Sequence, residues 1–521
     1  MSTKGKPNIP VLSHLQSFPA FSLNFTFYLY KIYIISSEFC ICNSESDQST
    51  KDKITKQKLS VFSLLILSFV LLFSCLGFRR IASDTPEARE VYSRAAYDTY
   101  AEDIFASRES FPGLIVSIQA DNDTLYGEEN GLLSARYMCS GREGECEIQV
   151  FVYDQSGTPL IAQNAGLRIS GATSRNAIRK SFRVIARKEY DKQHPKFTYD
   201  LWNGRTTLDG ATKPIQEYSS FILHSVRLAM DSTGIHNSVG YSLARKAGIV
   251  DASPTTPAAV YINGKYQGAY FLMPAKTDNA LAELYNIEKK EDIEVVSVFE
   301  EEKTGTQSRP EILASYLTFV DFLRNADMTD PSVIEQVEAQ LDVHQCLQYY
   351  AVNLLLGNGD WLDNNLRVWR CKDNGLPYQD GKWRFFLFDL DWIGSFSDLV
   401  VMNFEQATQS ADYHNILPAL LKNPEYKKEF TDLIYQMEED AFTPEVIDSV
   451  FAKEEERMHD EAAYDFQSEA FTGYLMYSVN SSPLEEKDYI TMEDRQILIE
   501  DFRNHLVNTP ALINNCIENG F

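Results

Sequence analysis

The sequence predicts an α+β protein in which a β-rich first lobe precedes a mostly helical second lobe. Between residues 111 and 300, short segments such as "CEIQVFVYD" and "KSFRVIAR" alternate apolar and polar residues, as half-buried strands do. From residue 301 to 521, longer segments such as "ILASYLTFVDFLRNA" repeat apolar residues at helical spacing. We place the boundary in the acidic stretch "FEEEK" at 299–303, which has the composition of a solvated loop.

The first lobe is predicted to consist of strands joined by turns and short helices. Residues 83–110 include "PEAREVYSRAAYDTYAEDIFAS", a helical pattern with mixed charges, and we assign them to a helical linker. "GLIVSIQA" follows as a strand, and "NSVGYSLARKAGI" is a short amphipathic helix. In "AAVYINGKYQGAYFLM", Asn263 and Gly264 separate two alternating runs, which is the strongest short-range signal for a β-hairpin.

The amino-terminal segment predicts export from the cytoplasm. Residues 1–58 contain no recognisable domain and end in "KDKITKQK", and residues 59–78 follow without a charge. Such an apolar run after basic residues is typical of a signal or a membrane anchor, and the lysines favour a cytoplasmic amino terminus. "LFSC" also resembles a lipobox in which Cys75 carries a lipid. A buried helix of a soluble protein is the alternative. We therefore expect a bacterial cell-envelope protein, membrane-anchored or secreted, with its globular part outside the cytoplasm.

Composition argues against some classes of partner and does not decide whether the cysteines form a disulfide. The formal net charge of −26 argues against binding to nucleic acid, because phosphate contacts need clustered Lys and Arg. The eight cysteines show no zinc-binding spacing. Cys139 and Cys146 enclose a short loop, and they form either a small disulfide or two free thiols.

Acidic residues and amides concentrate in "GNGDWLDNNLRVWR" (357–370) and "KWRFFLFDLDWIGSF" (382–396), among large apolar side chains. A helix ends at the glycines of the first segment, and the patterns of residues 366–371 and 383–388 predict two strands folded back on each other. Such a hairpin brings Asn365 and Asp389 to one end, with Asp360 in the adjoining loop and Asp391 just beyond. Unpaired carboxylates are costly near apolar surface, so this group needs a cation, a donor network or a substrate.

This set of oxygen ligands suits phosphoryl transfer to a hydroxyl group. One carboxylate, Asp360, can orient the nucleophile and accept its proton, while Asn365 and an aspartate hold Mg²⁺ on the nucleotide phosphates. Asp and Asn also favour loops for structural reasons, and two carboxylates can serve glycoside hydrolysis or a calcium-stabilised binding module. Nucleophilic chemistry of the Ser–His–Asp type finds no "GxSxG" motif here.

These two segments together resemble the paired motifs of the CotH kinase family, named for a bacterial spore-coat protein. "AGLRISGATSRNAIRKSFRVIARKEYD" and "VYINGKYQGAYFL" resemble upstream family segments in the same order, so that the resemblance runs from about Phe111 to the chain end. It implies a two-lobed atypical kinase-like fold that uses ATP with Mg²⁺ or Mn²⁺ to phosphorylate Ser or Thr of a surface or secreted protein. By the same resemblance Asp360 is the catalytic aspartate, and Asn365, Asp389 and Asp391 bind the metal.

The resemblance also assigns phosphate contacts and exposes one departure. Arg175 and Lys180 flank the turn "SGATSR" and are the cations expected to meet the phosphates, although both can also be exposed basic residues. Relatives often carry a Glu directly after the "G-x-Y-x-L" strand, whereas this chain has Pro274 and Ala275 there and no acid before Asp278. A catalytically silent surface-binding module is therefore the main alternative, and a carbohydrate-active protein is the third.

Overall fold

A computed structural model gives the fold, and it describes residues 97–521 except 172, 227–230, 232, 299–308, 363 and 469–490. The predicted leader (1–58), the apolar run (59–78) with Cys75, the start of the predicted linker and the boundary near residue 300 lie outside the described residues. These assignments remain predictions. Within the described part, no helix is both long and apolar enough to cross a membrane.

The first half of the described chain consists mainly of β-strands. The strands are β1 (Leu114–Gln119), β2 (Glu145–Tyr153), β3 (Pro159–Ser170), β4 (Ser181–Ile185), β5 (Phe197–Thr198), β6 (Glu217–Tyr218), β7 (Ser220–Ser225), β8 (Thr256–Ile262), β9 (Lys265–Pro274), β10 (Ile293–Ser297), β11 (Arg367–Cys371) and β12 (Arg384–Phe385).

Helices make up most of the second half. They are α1 (Ala101–Ala106), α2 (Asn122–Tyr126), α3 (His236–Lys246), α4 (Asp278–Leu284), α5 (Pro310–Asn325), α6 (Pro331–Glu338), α7 (Val343–Leu355), α8 (Ser397–Gln409), α9 (Leu417–Leu420), α10 (Pro424–Ala441), α11 (Pro444–Gln467) and α12 (Met492–Glu518).

Seven strands close into one mixed barrel in the order β1-β2-β3-β4-β7-β9-β8. Closure depends on β1, which pairs antiparallel with β2 and parallel with β8, so that Val116 lies between Val152 and Val260. The predicted two-lobed kinase-like fold is therefore wrong. The α+β class holds, but the β-rich part is a closed barrel with helices and not the first lobe of a kinase.

Some barrel strands, such as β1 and β8, bury residues on both faces. Val116 and Ile118 belong to the apolar cluster that fills the barrel with side chains from all seven strands. Ile115, on the opposite face of β1, packs with Ile104 of α1 and Tyr153. On β9 the outward Phe271 joins the large core formed with the helices. On β2, Cys146 is a buried free thiol, and Cys139 is free as well.

A second sheet carries the hairpin predicted from the sequence. β11 and β12 pair antiparallel, with Val368 opposite Phe385, although β12 is shorter than expected. β10 lies on the other side of β11, so that a strand from before residue 300 pairs with one from the carboxyl-terminal part. The hairpin is thereby fixed against the end of the β-rich segment.

Helix α11 is attached to the barrel through buried charges. Arg179 donates two hydrogen bonds to Asp465, of 2.6 and 2.7 Å, and both side chains are at most 5% exposed. Arg108 forms an ion pair with Glu461 one turn earlier, and the Tyr266 hydroxyl donates to the same carboxylate at 2.6 Å. Buried pairs of this kind are costly to break, because the remaining partner stays charged without compensation.

We expect Asp465→Asn to lower the free energy of unfolding by about 3–5 kcal/mol, because it leaves the Arg179 guanidinium buried beside a neutral amide. Equilibrium denaturation in urea measures the loss. Asp460→Asn on the exposed side of the same helix is the matched control and is expected to change the stability by less than about 0.5 kcal/mol. Equal midpoints for the two variants would contradict a structural role for the pair.

Candidate active site

Backbone hydrogen bonds hold the two acidic segments side by side. Helix α7 begins after Asp342, whose carboxylate accepts the Gln345 amide at 3.3 Å, and the chain leaves it at Gly357 with φ +57°. The Gly359 amide then donates to the Trp392 carbonyl at 2.7 Å, and the Ser395 amide donates to Gly357 at 3.1 Å. The loop after α7 and the segment after β12 therefore run together, which places Asp360 beside the second acidic pair.

The Asp360 carboxylate is held by two amide side chains. Asn364 donates to its Oδ2 at 3.0 Å, and Asn365 donates to the same oxygen at 3.1 Å and to the Asp360 carbonyl at 3.0 Å. Asn365 adopts φ +51°, a conformation that Asn tolerates better than most residues. Asp360 is half-buried. Donors on one oxygen fix the direction of the carboxylate, which is the arrangement a proton acceptor needs.

Asp389 and Asp391 form a coupled acidic pair next to Asp360. Burial, together with the nearby charges of Asp389, Asp360 and Asp231, raises the pKa of Asp391 well above its usual range. Asp391 also shares a hydrogen bond with Asp389, so the pair retains a proton when no cation is present. Asp389 has φ +61°, which marks a constrained backbone at the end of the hairpin.

The amino-terminal end of α3 fixes this pair from the other side. The Asp231 carboxylate accepts the Gly234 amide at 2.6 Å and the His236 amide at 3.0 Å. His236 Nδ1 lies 2.9 Å from the Asp391 carbonyl, and Asn237 accepts the Leu390 amide at 3.0 Å. The segment "VRLAMDS" predicts a structural ion pair between Asp231 and Arg227, and Arg227 lies outside the described residues. The sequence pattern gave no sign of His236 and Asn237, since no local pattern indicates contacts across 150 residues.

Two further buried groups also escape the sequence patterns. His224, at the end of β7, lies near Asp389, and burial lowers its pKa. The Asn237 side chain lies 3.2 Å from His224 Nε2, where its amide N–H donates to a neutral imidazole. The Tyr241 hydroxyl makes a hydrogen bond to the Asp389 backbone, and burial together with the Asp389 charge raises its pKa. The groups packed behind the carboxylates are therefore neutral and hydrogen-bonded.

The two cations predicted to meet the phosphates lie on the β3–β4 connection. Arg175 donates to the carbonyls of Gly171 and Cys139, at 2.6 and 2.7 Å. Lys180 donates to the carbonyls of Arg175 and Ala177, at 2.8 and 2.9 Å, and burial lowers its pKa. These bonds shape the connection itself, and the roles of both cations toward phosphate remain predictions.

The connection borders the same end of the barrel as the acidic group. Ser181, the first residue of β4, accepts the Ser225 amide at 3.0 Å, and the residue before Ser225 is His224. The β3–β4 turn thus lies beside the end of β7 that approaches Asp389.

The predicted metal ligands have the atom types that a hard divalent cation prefers, but their side chains are not arranged around a common point. Over the described ranges, no three His, Cys, Asp or Glu side chains gather in a geometry that could hold a metal ion. The predicted set is two carboxylates and the amide of Asn365, all oxygen ligands of the type that Mg²⁺ and Mn²⁺ prefer. The repulsion that raises the pKa of Asp391 is the kind of strain that a bound cation relieves.

Comparison with known families identifies the family to which these segments belong. Residues 167–496, most of the chain, match the family described as CotH kinase protein. The chain belongs to the CotH kinase family. The match includes both acidic segments and the β3–β4 connection, and it confirms the resemblance predicted from the motifs. No curated protein matches the chain. Membership in the CotH kinase family makes the protein kinase-like, and ATP, a divalent metal and a protein substrate are what such a family generally uses.

Proposed function

We propose that the protein transfers the γ-phosphate of ATP to Ser or Thr hydroxyl groups of another protein, with Mg²⁺ or Mn²⁺ as the metal. The observation that carries this proposal is the convergence of Asp360, Asn365, Asp389 and Asp391 in a chain of the CotH kinase family. Phosphoryl transfer requires little covalent chemistry from the protein, because catalysis comes from positioning and charge stabilisation. This group of residues offers both.

Asp360 orients the acceptor hydroxyl and takes its proton. The two amide donors on Oδ2 fix the carboxylate in one direction. A positioned general base of this kind contributes a factor of about 10²–10⁴ to a rate. Asn365 has a second function in this arrangement, because its amide nitrogen holds Asp360 while its carbonyl oxygen is a metal ligand.

Asn365, Asp389 and Asp391 are the residues that would hold the divalent cation. When bound, the metal neutralises charge on the transferred phosphoryl group. With a cation in this site Asp391 would be ionised, because the cation would replace the retained proton as the compensating charge. His236 and Asn237 keep the backbone of this segment in place through the Asp391 carbonyl and the Leu390 amide.

The substrate belongs to the cell surface or is secreted, in line with the location of the enzyme. The support is the lysine-rich stretch before the uncharged run at 59–78, which favours export of the globular part, anchored either through that run or through a lipid on Cys75. The net charge of −26 favours an acceptor with basic or neutral surface near the phosphorylated residue.

A catalytically silent binding module is the second candidate, and one observation favours it. β9 ends at Pro274, and Ala275 is buried where relatives often place a Glu. The next acid, Asp278, is 3.6 Å from Arg309 and accepts the Asn279 amide, so it is engaged elsewhere. Asp251 is the acid that shares a recess with Lys276 just after β9. In the active-kinase proposal Asp251 takes the place of the missing Glu.

The test incubates the full-length protein with γ-labelled ATP and Mn²⁺ or Mg²⁺, alone and with a Ser-rich acceptor protein. We expect label on Ser or Thr that requires the metal and disappears with a chelator. ATP-dependent thermal stabilisation without any label would establish the binding module instead. Sugar release without a nucleotide requirement would establish the carbohydrate-active alternative, and the absence of both binding and transfer would exclude the kinase proposal.

A further inference from the structure

A small open recess lies where β9 ends and α4 begins, and its lining includes Lys276, Arg205, Asp251 and Phe386. Ala280, Leu281 and Leu284 supply an apolar wall. Lys276 Nζ lies over the Phe386 ring at 5.4 Å and over the Tyr241 ring at 5.9 Å. The ammonium group therefore lies near two aromatic rings, and Lys276 lines the recess.

The two cations of this recess outnumber its acid. Over the described part of the chain, neither Lys276 Nζ nor the Arg205 guanidinium donates a hydrogen bond to a side chain or a carbonyl. Asp251 is the acid that attracts both, and its carboxylate also accepts the Tyr285 hydroxyl at 3.4 Å. Burial lowers the pKa of Lys276 to about 8 and lowers that of Arg205. Half-burying a cation without a hydrogen-bond acceptor costs desolvation free energy, and a bound anion offsets this cost by accepting its hydrogen bonds.

We propose that this recess binds a phosphate group, with Lys276 and Arg205 as the two cations that hold it. Two cations against one acid leave a net positive charge, and the N–H donors of an ammonium and a guanidinium are the groups that bind phosphate in proteins.

The choice of phosphate over a carboxylate rests on the proposed function, through Tyr241. Its ring contacts Lys276, and its hydroxyl is bonded to the Asp389 backbone. Arg367, two residues after Asn365, donates to the Lys276 carbonyl at 3.2 Å. Tyr241 thus connects the recess to Asp389, and Arg367 connects it to the segment of Asn365. Both are proposed metal ligands, and a kinase binds phosphate beside its metal.

Competitive acetylation of the full-length protein at pH 8, detected by peptide mass spectrometry, tests the proposal without any need for phosphoryl transfer. At a ligand concentration of about ten times Kd, inorganic phosphate is expected to slow acetylation of Lys276 about tenfold relative to chloride at equal ionic strength. Lys265, exposed at the start of β9, is the internal control and keeps its rate. Equal Lys276 rates in phosphate and chloride, together with no protection by ATP, would overturn the proposal.

Further arms of the same experiment distinguish the source of the phosphate. Protection by ATP and not by inorganic phosphate would assign the recess to the nucleotide, and protection by inorganic phosphate alone would assign it to a separate anion. Protection by adenosine equal to that by ATP would overturn the proposal, because the recess would then recognise the base. In calorimetry, Lys276→Ala is expected to weaken binding of the protecting ligand more than tenfold and Lys276→Arg less, whereas equal affinities would count against Lys276.

Discussion

Replacing Asp360 by Asn is expected to reduce kcat for phosphoryl transfer by about 10³-fold, within the range that a general base contributes. The amide oxygen of the new side chain can still accept from Asn364 and Asn365, so the loop keeps its hydrogen bonds. The variant loses the ability to take the proton of the acceptor hydroxyl. The KM for ATP is expected to change little, because Asp360 is not assigned to the nucleotide.

Initial rates over a range of ATP concentrations, measured on the full-length protein, separate these two effects. Asp398→Asn, an exposed aspartate in the first turn of α8, is the matched control and is expected to keep the wild-type kcat. A variant at Asp360 that retains more than one-tenth of kcat would show that another group accepts the proton.

Asp391→Asn is expected to act in opposite directions on stability and activity. At neutral pH the folded wild type keeps a proton on Asp391 that the unfolded chain releases. The amide side chain removes this cost, so the metal-free protein gains on the order of 1 kcal/mol. Transfer activity is lost because a metal ligand is removed. Sites that carry such a cost are typical of functional centres, where stability is given up for binding.

The pH dependence of the free energy of unfolding tests the raised pKa of Asp391. Since the pKa of Asp391 is raised in the folded protein, the folded state keeps a proton that the unfolded chain has already released. The free energy of unfolding of the metal-free wild type therefore falls as pH rises from the ordinary Asp range to the raised pKa. Urea denaturation at several pH values is expected to show a flatter profile for Asp391→Asn, with exposed Asp440→Asn as the control. Parallel profiles for all three proteins would contradict the raised pKa.

The acidic end of the hairpin could be predicted because it is local in sequence. Two consecutive strands that pair antiparallel must bring their outer ends together, so the placement of Asn365 and Asp389 followed from the alternation and the turn residues alone. The glycines after α7 likewise marked where the helix ends and the Asp360 loop begins.

The barrel could not be predicted from the same patterns. Closure requires β1 to pair in parallel with β8, which joins Ile115 to Ala259 across the whole β-rich segment. Alternation with period two is the same in an open sheet and in a closed one, and burial of both faces turns β8 and β9 into nearly continuous apolar runs. Supporting groups such as His224 and His236 depend on contacts of the same long range, which one sequence does not reveal.

The most direct test of the central claim is a crystal structure with Mn²⁺ and a non-hydrolysable ATP analogue, with the metal located by its anomalous scattering. The acidic group is predicted to hold manganese, with Asn365 and at least one of Asp389 and Asp391 as ligands and Asp360 left uncoordinated beside the γ-phosphate. Manganese bound away from these residues, or nucleotide bound with the Asp389–Asp391 pair still sharing its proton, would contradict the assignment of this group to phosphoryl transfer.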